Sequence, residues 1–268
     1  MKAPILVELY QKVISDSTGG NVCDILAISA GYNYSPGKYL PIFAEKGKRN
    51  MTGWGIGFFR EHVALVEKSA EQVFDSDQVH ESFQRLARVI DSRIIVSHVS
   101  CPLSGSKHSA HNHPFTLTFL NHSWLFAHVG IVDNIELYKT TYEPKIDVDV
   151  YTARIFEYLR DRIVEIFNVN PYISFLQALR NAIMKINAEF PGCYAFFLAN
   201  ESVLYSFHNF RPLVILKESE KIGNVLIVTS IEEGLTDQGW HEMSPKKGAI
   251  GKLLIIAGPD LLYSEDVI

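Results

Sequence analysis

Cys23 stands inside the stretch "GGNVCDILAISAGY" (19–32), where a glycine pair gives way to an apolar run. A thiol there is a candidate nucleophile, but only the thiolate attacks, so it needs a base beside it. The other cysteines are Cys101 and Cys193; an odd count with no CxxC suits a reducing compartment better than a disulfide framework. Six of the ten histidines fall between 98 and 128: His98, His108, His111, His113, His122 and His128. His111 and His113 would share one face of a strand, which suits a metal pair, yet "HNHPF" and "FAHVG" read equally well as structural segments. His98 or His113 as a base for an amide hydrolase is a further option. No GxSxG elbow accompanies the serines, and "LSGSKHS" (103–109) reads as a polar loop. "GWGIG" (53–57) has bulky residues where a phosphate cradle needs glycine, and it lies within a strand pattern.

These residues have to be held by regular elements. Strand patterns cover "CDILAISA", 53–59, 62–69, 93–99, 115–121 and 123–132. A helix fits 76–90, with Val79, Phe83, Leu86 and Ile90 on one face and Ser76 as its cap. Two further helices fit 148–167 and 173–189, parted at Pro171. Strand patterns then return in "CYAFFLA", "VLYSF", "PLVILK", "NVLIVTS" and "GKLLIIAG". Strands, two central helices and strands again imply an α+β chain whose sheets bury their patterns between helical layers. Residues 1–22 read as a short amphipathic helix plus a flexible joint, followed by one domain over 23–268.

Hydrophobic residues make up 47% and charged ones 21%, ordinary for a globular chain. The net charge of −5 argues against a nucleic-acid groove. The basic cluster "EKGKRN" (45–50) reads as a solvated loop. No apolar run approaches the roughly 20 residues that cross a bilayer, so no membrane partner is expected. The start is too polar for a signal sequence, and a cytoplasmic protein is the expectation.

Several segments together resemble the class II glutamine amidotransferases, in particular the stand-alone members of that family. They are "CDILAISA", "GWGIGFF", "SHV" (97–99), "HNHPF" (111–115), "WLFAHVGIVDN" (124–134), "DVD" (147–149) and "VTSIEEGLTDQGWHEMSP" (228–245), in the family's order. The resemblance implies a four-layer αββα amino-terminal-nucleophile (Ntn) hydrolase sandwich, two antiparallel sheets between helical layers. It implies a cysteine that attacks a glutamine side-chain amide, releases ammonia and leaves a thioester for water to cleave. No cofactor is implied, and the partner is a small amide. An ammonia acceptor and homo-oligomerisation stay open.

In this family the base is the cysteine's own α-amine, whose pKa of roughly 7.7–8.0 suits the task. Inside a chain that nitrogen is an amide and accepts no proton. Cys23 is therefore equipped only if the Val22–Cys23 bond is absent, through removal of residues 1–22 or a true start at Val22. The other reading keeps the leader and makes the chain a catalytically silent binding or assembly module.

Other positions carry over unevenly. Gly130 matches the backbone donor of the oxyanion hole, but Val129 replaces the asparagine that donates beside it. Ser100 stands where an arginine grips the substrate carboxylate, with Lys107 nearby, and Thr52 replaces an aspartate before "GWG". Asp147 matches the ligand of the substrate's α-ammonium, and Asp149 stands where glutamate is usual. Asn134 matches a different family position. His98, Gly53 and Trp54 complete the expected substrate-binding set. Without the arginine and asparagine, plain L-glutamine is a doubtful substrate and a γ-glutamyl or other small amide a better one.

Overall fold

The computed structural model describes residues 23–45, 53–71, 77–100, 112–147, 150–230 and 239–268. Expectations for residues 1–22, Thr52, Ser76, Cys101, Lys107, His108, His111 and Asp149 fall outside these.

The strands are β1 (Asp24–Tyr34), β2 (Gly53–Arg60), β3 (Val63–Ser69), β4 (Ser92–Ser100), β5 (Phe115–Phe119), β6 (His122–Val129), β7 (Ala195–Ala199), β8 (Leu204–His208), β9 (Leu213–Ser219), β10 (Asn224–Thr229), β11 (His241–Met243), β12 (Gly251–Ala257) and β13 (Asp260–Val267). The helices are α1 (Tyr39–Glu45), α2 (Asp77–Val89), α3 (Tyr151–Val169) and α4 (Phe175–Glu189). One seven-stranded sheet runs β11-β9-β10-β1-β4-β2-β3 and a six-stranded sheet runs β13-β12-β8-β7-β6-β5. Every described pairing is antiparallel.

Alternation along the strands sorts the apolar residues into three cores. On β1, Leu26, Ile28 and Ala30 turn toward α1 and α2, joined there by Trp54, Phe83 and Ile90. Ile25 and Ala27 turn the other way, meeting Leu125, Ala127, Val129, Ala195 and Phe197 of the second sheet. That sheet's outer face carries Trp124, Phe126, Phe196 and Phe207 against Ile155, Phe156 and Leu179 of α3 and α4. Three buried interfaces between four layers make the αββα sandwich. Strands covered on both faces read as near-continuous apolar runs, as "AFFLA" and "CDILAISA" do.

Element boundaries moved in physically intelligible ways. The strand expected over 123–132 stops at Val129, because Gly130 takes φ +139° and turns the chain. The helix expected over 148–167 begins at Tyr151 and runs on to Val169. Helix α4 begins after Ser174, whose hydroxyl accepts from the Gln177 amide. Three elements gave no legible pattern. Helix α1 has only seven residues and includes Pro41 in its first turn, where proline is tolerated. Strand β11 has three residues, and β13 is an exposed edge without clean alternation.

No helix among the described residues is long and apolar enough to cross a membrane.

Candidate active site

Cys23 is half-buried at the mouth of β1 and packs against the inter-sheet core. Asp24 pairs with Val99, so extending that register by one residue sets Cys23 opposite Ser100, which pairs with Gly53 on β2. Three candidate positions therefore share one level of three adjacent strands. A network fixes this strand end. Arg211 donates from Nη1 to the Cys23 carbonyl at 3.0 Å, and its Nη2 lies 2.8 Å from Asp24 Oδ1. The Ser230 hydroxyl donates to the same Oδ1 at 2.8 Å and accepts from the Ile25 amide at 3.0 Å. Arg211, Asp24 and Ser230 were not anticipated from sequence; they come together only when β1, β10 and the β8–β9 loop meet.

Gly130 follows β6, buried, and a Cβ there would meet the Cys193 carbonyl oxygen at 1.9 Å, so only glycine fits. The Tyr151 hydroxyl donates to the Gly130 carbonyl at 2.9 Å. Burial and the nearby Cys23 thiol push the Tyr151 phenol up to about 12, so it stays protonated at neutral pH. The residue as a whole remains 38% exposed. Tyr151 thus bonds Gly130 and lies near Cys23. Val129 is 3% exposed and belongs to the core between the sheets.

Beneath this mouth lies a layer of imidazoles. His98, His113 and His128 are all buried, and the His98 and His113 rings lie 4.3 Å apart. His113 sits in the bend before β5, not on a strand, with its Nδ1 3.4 Å from the His128 amide nitrogen. The bend is possible because β2 presents Gly55: a Cβ there would come within 1.9 Å of the His113 carbonyl oxygen. Burial holds both His98 and His128 down at about 3, and at His98 the neighbouring His128 and Lys68 charges add to it. His113 is likewise held well below the usual range, chiefly by burial. Imidazoles this weakly basic stay neutral and make poor bases for a thiol. Lys68, above the Phe115 ring at 4.5 Å, is lowered by burial to about 8. Among the described residues no group of three or more potential ligands could hold a metal ion.

Asp147 is exposed at the end of the loop that leads to α3. Buried polar groups of α3 hold that loop. Glu157 accepts from the Ile146 amide at 2.9 Å and from Arg154 at 2.6 Å, and Arg160 donates to the Pro144 carbonyl at 2.8 Å. Asp161 accepts from Tyr138 at 2.6 Å and Thr140 at 2.5 Å. Trp54 does not join Cys23: its ring turns to the helix side and meets Phe83 edge-on at 5.0 Å. It anchors α2 instead, because the residue next to an inward-facing glycine on a strand must face outward. A separate cavity of about 740 Å³ opens at the far ends of β2 and β4, lined by Arg60, Ser92 and Glu201 among others.

A family model described as "Glutamine amidotransferases class-II" matches residues 22–245. No curated protein matches the chain. Among solved structures, a predicted glutamine amidotransferase from Pseudomonas aeruginosa PA01 is similar over 90% of this chain and 100% of its own, with a TM-score of 0.61 at 17% identity. The glutamine phosphoribosylpyrophosphate amidotransferase from B. subtilis matches over 91% of this chain, with a TM-score of 0.60 at 16% identity. This chain spans 49% of that enzyme. A glutamine aminotransferase class-II domain protein from Silicibacter pomeroyi matches over 92% of this chain and 100% of its own, with a TM-score of 0.56 at 14% identity. At these identities the likeness to solved structures is one of fold.

Proposed function

This chain belongs to the class II glutamine amidotransferase family, and from that premise we propose that it hydrolyses a small amide through Cys23 once the Val22–Cys23 bond is open. Residues 1–22 act as a leader to be removed. The observation that carries the reading is the placement of Cys23 level with Ser100 and Gly53 at one end of β1, β4 and β2.

In the opened form the Cys23 α-amine takes the thiol proton. The sulfur bonds to the amide carbon, and the carbonyl pair moves to oxygen, where the Gly130 N–H receives it. Collapse breaks the C–N bond; ammonia leaves with the proton held by the amine, and water cleaves the thioester. Arg211 keeps the Cys23 backbone in place through its carbonyl, which matters most when no residue precedes it. Asp147 holds the substrate's amino group. Ser100 offers neither the charge nor the fork of an arginine, so the reading favours a γ-glutamyl or other small amide over free glutamine.

The test compares the full chain with a form beginning at Cys23. Ammonia release is measured from L-glutamine and a panel of γ-glutamyl and simple amides. The shortened form should turn over at least one of them, and both the full chain and Cys23→Ala should not. Silence of the shortened form across the panel, or equal rates with and without residues 1–22, rejects the mechanism. Silence would favour the binding-module reading, to which the core-packed Val129 already lends weight.

A further inference from the structure

Resting on the amidase reading above, we infer that Tyr151 is a further catalytic residue, whose phenol donates the second oxyanion hydrogen bond in place of the side-chain amide absent at Val129.

The need is chemical. A developing oxyanion gains most from two preorganised donors, and losing one costs on the order of 100- to 1,000-fold in rate. Gly130 supplies one N–H, and Val129 supplies nothing: it has no polar atom, and its side chain packs into the core between the sheets. The supply is geometric. The Tyr151 hydroxyl reaches 2.9 Å from the carbonyl oxygen of Gly130, the residue whose N–H is the first donor. Cys23 lies near enough for its charge to help raise the Tyr151 phenol, after burial. Tyr151 is the first residue of α3, the helix whose Glu157 and Arg160 hold the backbone at Ile146 and Pro144.

In the resting state the phenol gives its hydrogen to a neutral carbonyl. Once Cys23 has attacked, the oxyanion is the better acceptor, because hydrogen bonds to charged oxygens are roughly twice as strong as neutral ones. The hydrogen swings from the Gly130 carbonyl to the oxyanion and returns on collapse. Tyr151 transfers no proton, consistent with a phenol that remains protonated at working pH.

The experiment uses the form that begins at Cys23, with L-glutamine and L-γ-glutamyl-p-nitroanilide as amides and an aldehyde analogue, glutamate γ-semialdehyde, as an inhibitor that forms a tetrahedral adduct with sulfur. Tyr151→Phe removes one oxygen and keeps the ring packing. Its kcat should fall about 100- to 1,000-fold, its KM should move less than about threefold, and aldehyde inhibition should weaken along with kcat. Unchanged kcat and aldehyde inhibition in Tyr151→Phe overturns the inference. So does a kcat loss that leaves aldehyde inhibition intact, which would mark a residue that merely positions Gly130. Absence of Cys23-dependent turnover in the parent form would sink the amidase reading instead, a distinct outcome from an active parent with an equally active Tyr151→Phe.

Discussion

Arg211 grips both sides of the first β1 peptide, donating to the Cys23 carbonyl at 3.0 Å and pairing with the Asp24 carboxylate at 2.8 Å. The two side chains are 18% and 9% exposed, so the pair is largely shielded. Removing one partner strands the other's charge. Arg211→Ala should cost about 2–4 kcal/mol by urea denaturation. Arg211→Lys should recover only part of this, because an ammonium cannot reach both acceptors as a fork does.

The two described cysteines should differ sharply in reactivity. Cys193 is buried, and burial, with a smaller contribution from Asp133, pushes its thiol up to about 12. Its thiolate fraction at pH 8 is then on the order of 1 in 10,000. Cys23 is half-buried at a strand mouth. Iodoacetamide labelling of the native protein, read by peptide mapping, should mark Cys23 and leave Cys193 untouched until denaturant is added.

The imidazole layer should make the protein acid-labile. His98 and His128 are held at about 3, against about 6.5 in the unfolded chain. A lowered histidine pKa means the unfolded state binds more protons, so stability rises with pH across that window. The contribution is complete above about pH 6.5 and is lost as pH falls toward 3, at about 1.4 kcal/mol per pH unit for each group. Denaturation midpoints at pH 7, 6, 5 and 4 check the slope, which replacing His128 by asparagine should reduce. The ring NMR signals of His98 and His128 in the folded protein should not titrate above pH 5.

Gly55→Ala should be among the most damaging single methyl additions. The new Cβ would fall 1.9 Å from the His113 carbonyl oxygen, a backbone atom in a bend that cannot retreat cheaply. The expected loss is about 3 kcal/mol or more, visible as a large fall in melting temperature. Gly248→Ala, where nothing lies within 4 Å but φ is +90°, should be milder.

Much of the architecture was legible because two-sided burial writes itself into strands. "CDILAISA" alternates which core it feeds, yet every position after Asp24 is apolar or small, and the same holds for "AFFLA". Helix α2 announced itself through Phe83 and Ile90, both of which reach the core. Short or exposed elements stayed silent: α1 lacks a full repeat, and β13 owes its existence to pairing with β12 rather than to any pattern of its own. Among the candidate residues, Cys23, Ser100 and Gly53 do fall level on neighbouring strands. Trp54, one residue away from Gly53, points out of that group. A strand's period of two flips the side chain, and the sequence cannot say which face holds the site.

By itself the sequence determined the layered α+β fold, the family, and the list of chemically able side chains, since hydrophobic period and motif order are local properties of the chain. Only the tertiary structure decided which of them meet. Tyr151 came to Gly130 from 21 residues away and Arg211 to Cys23 from 188, because closing a sandwich brings strand ends together irrespective of their separation in the chain. It also decided the protonation of His98 and His128, because a pKa of about 3 arises from burial among other groups and not from anything within an imidazole.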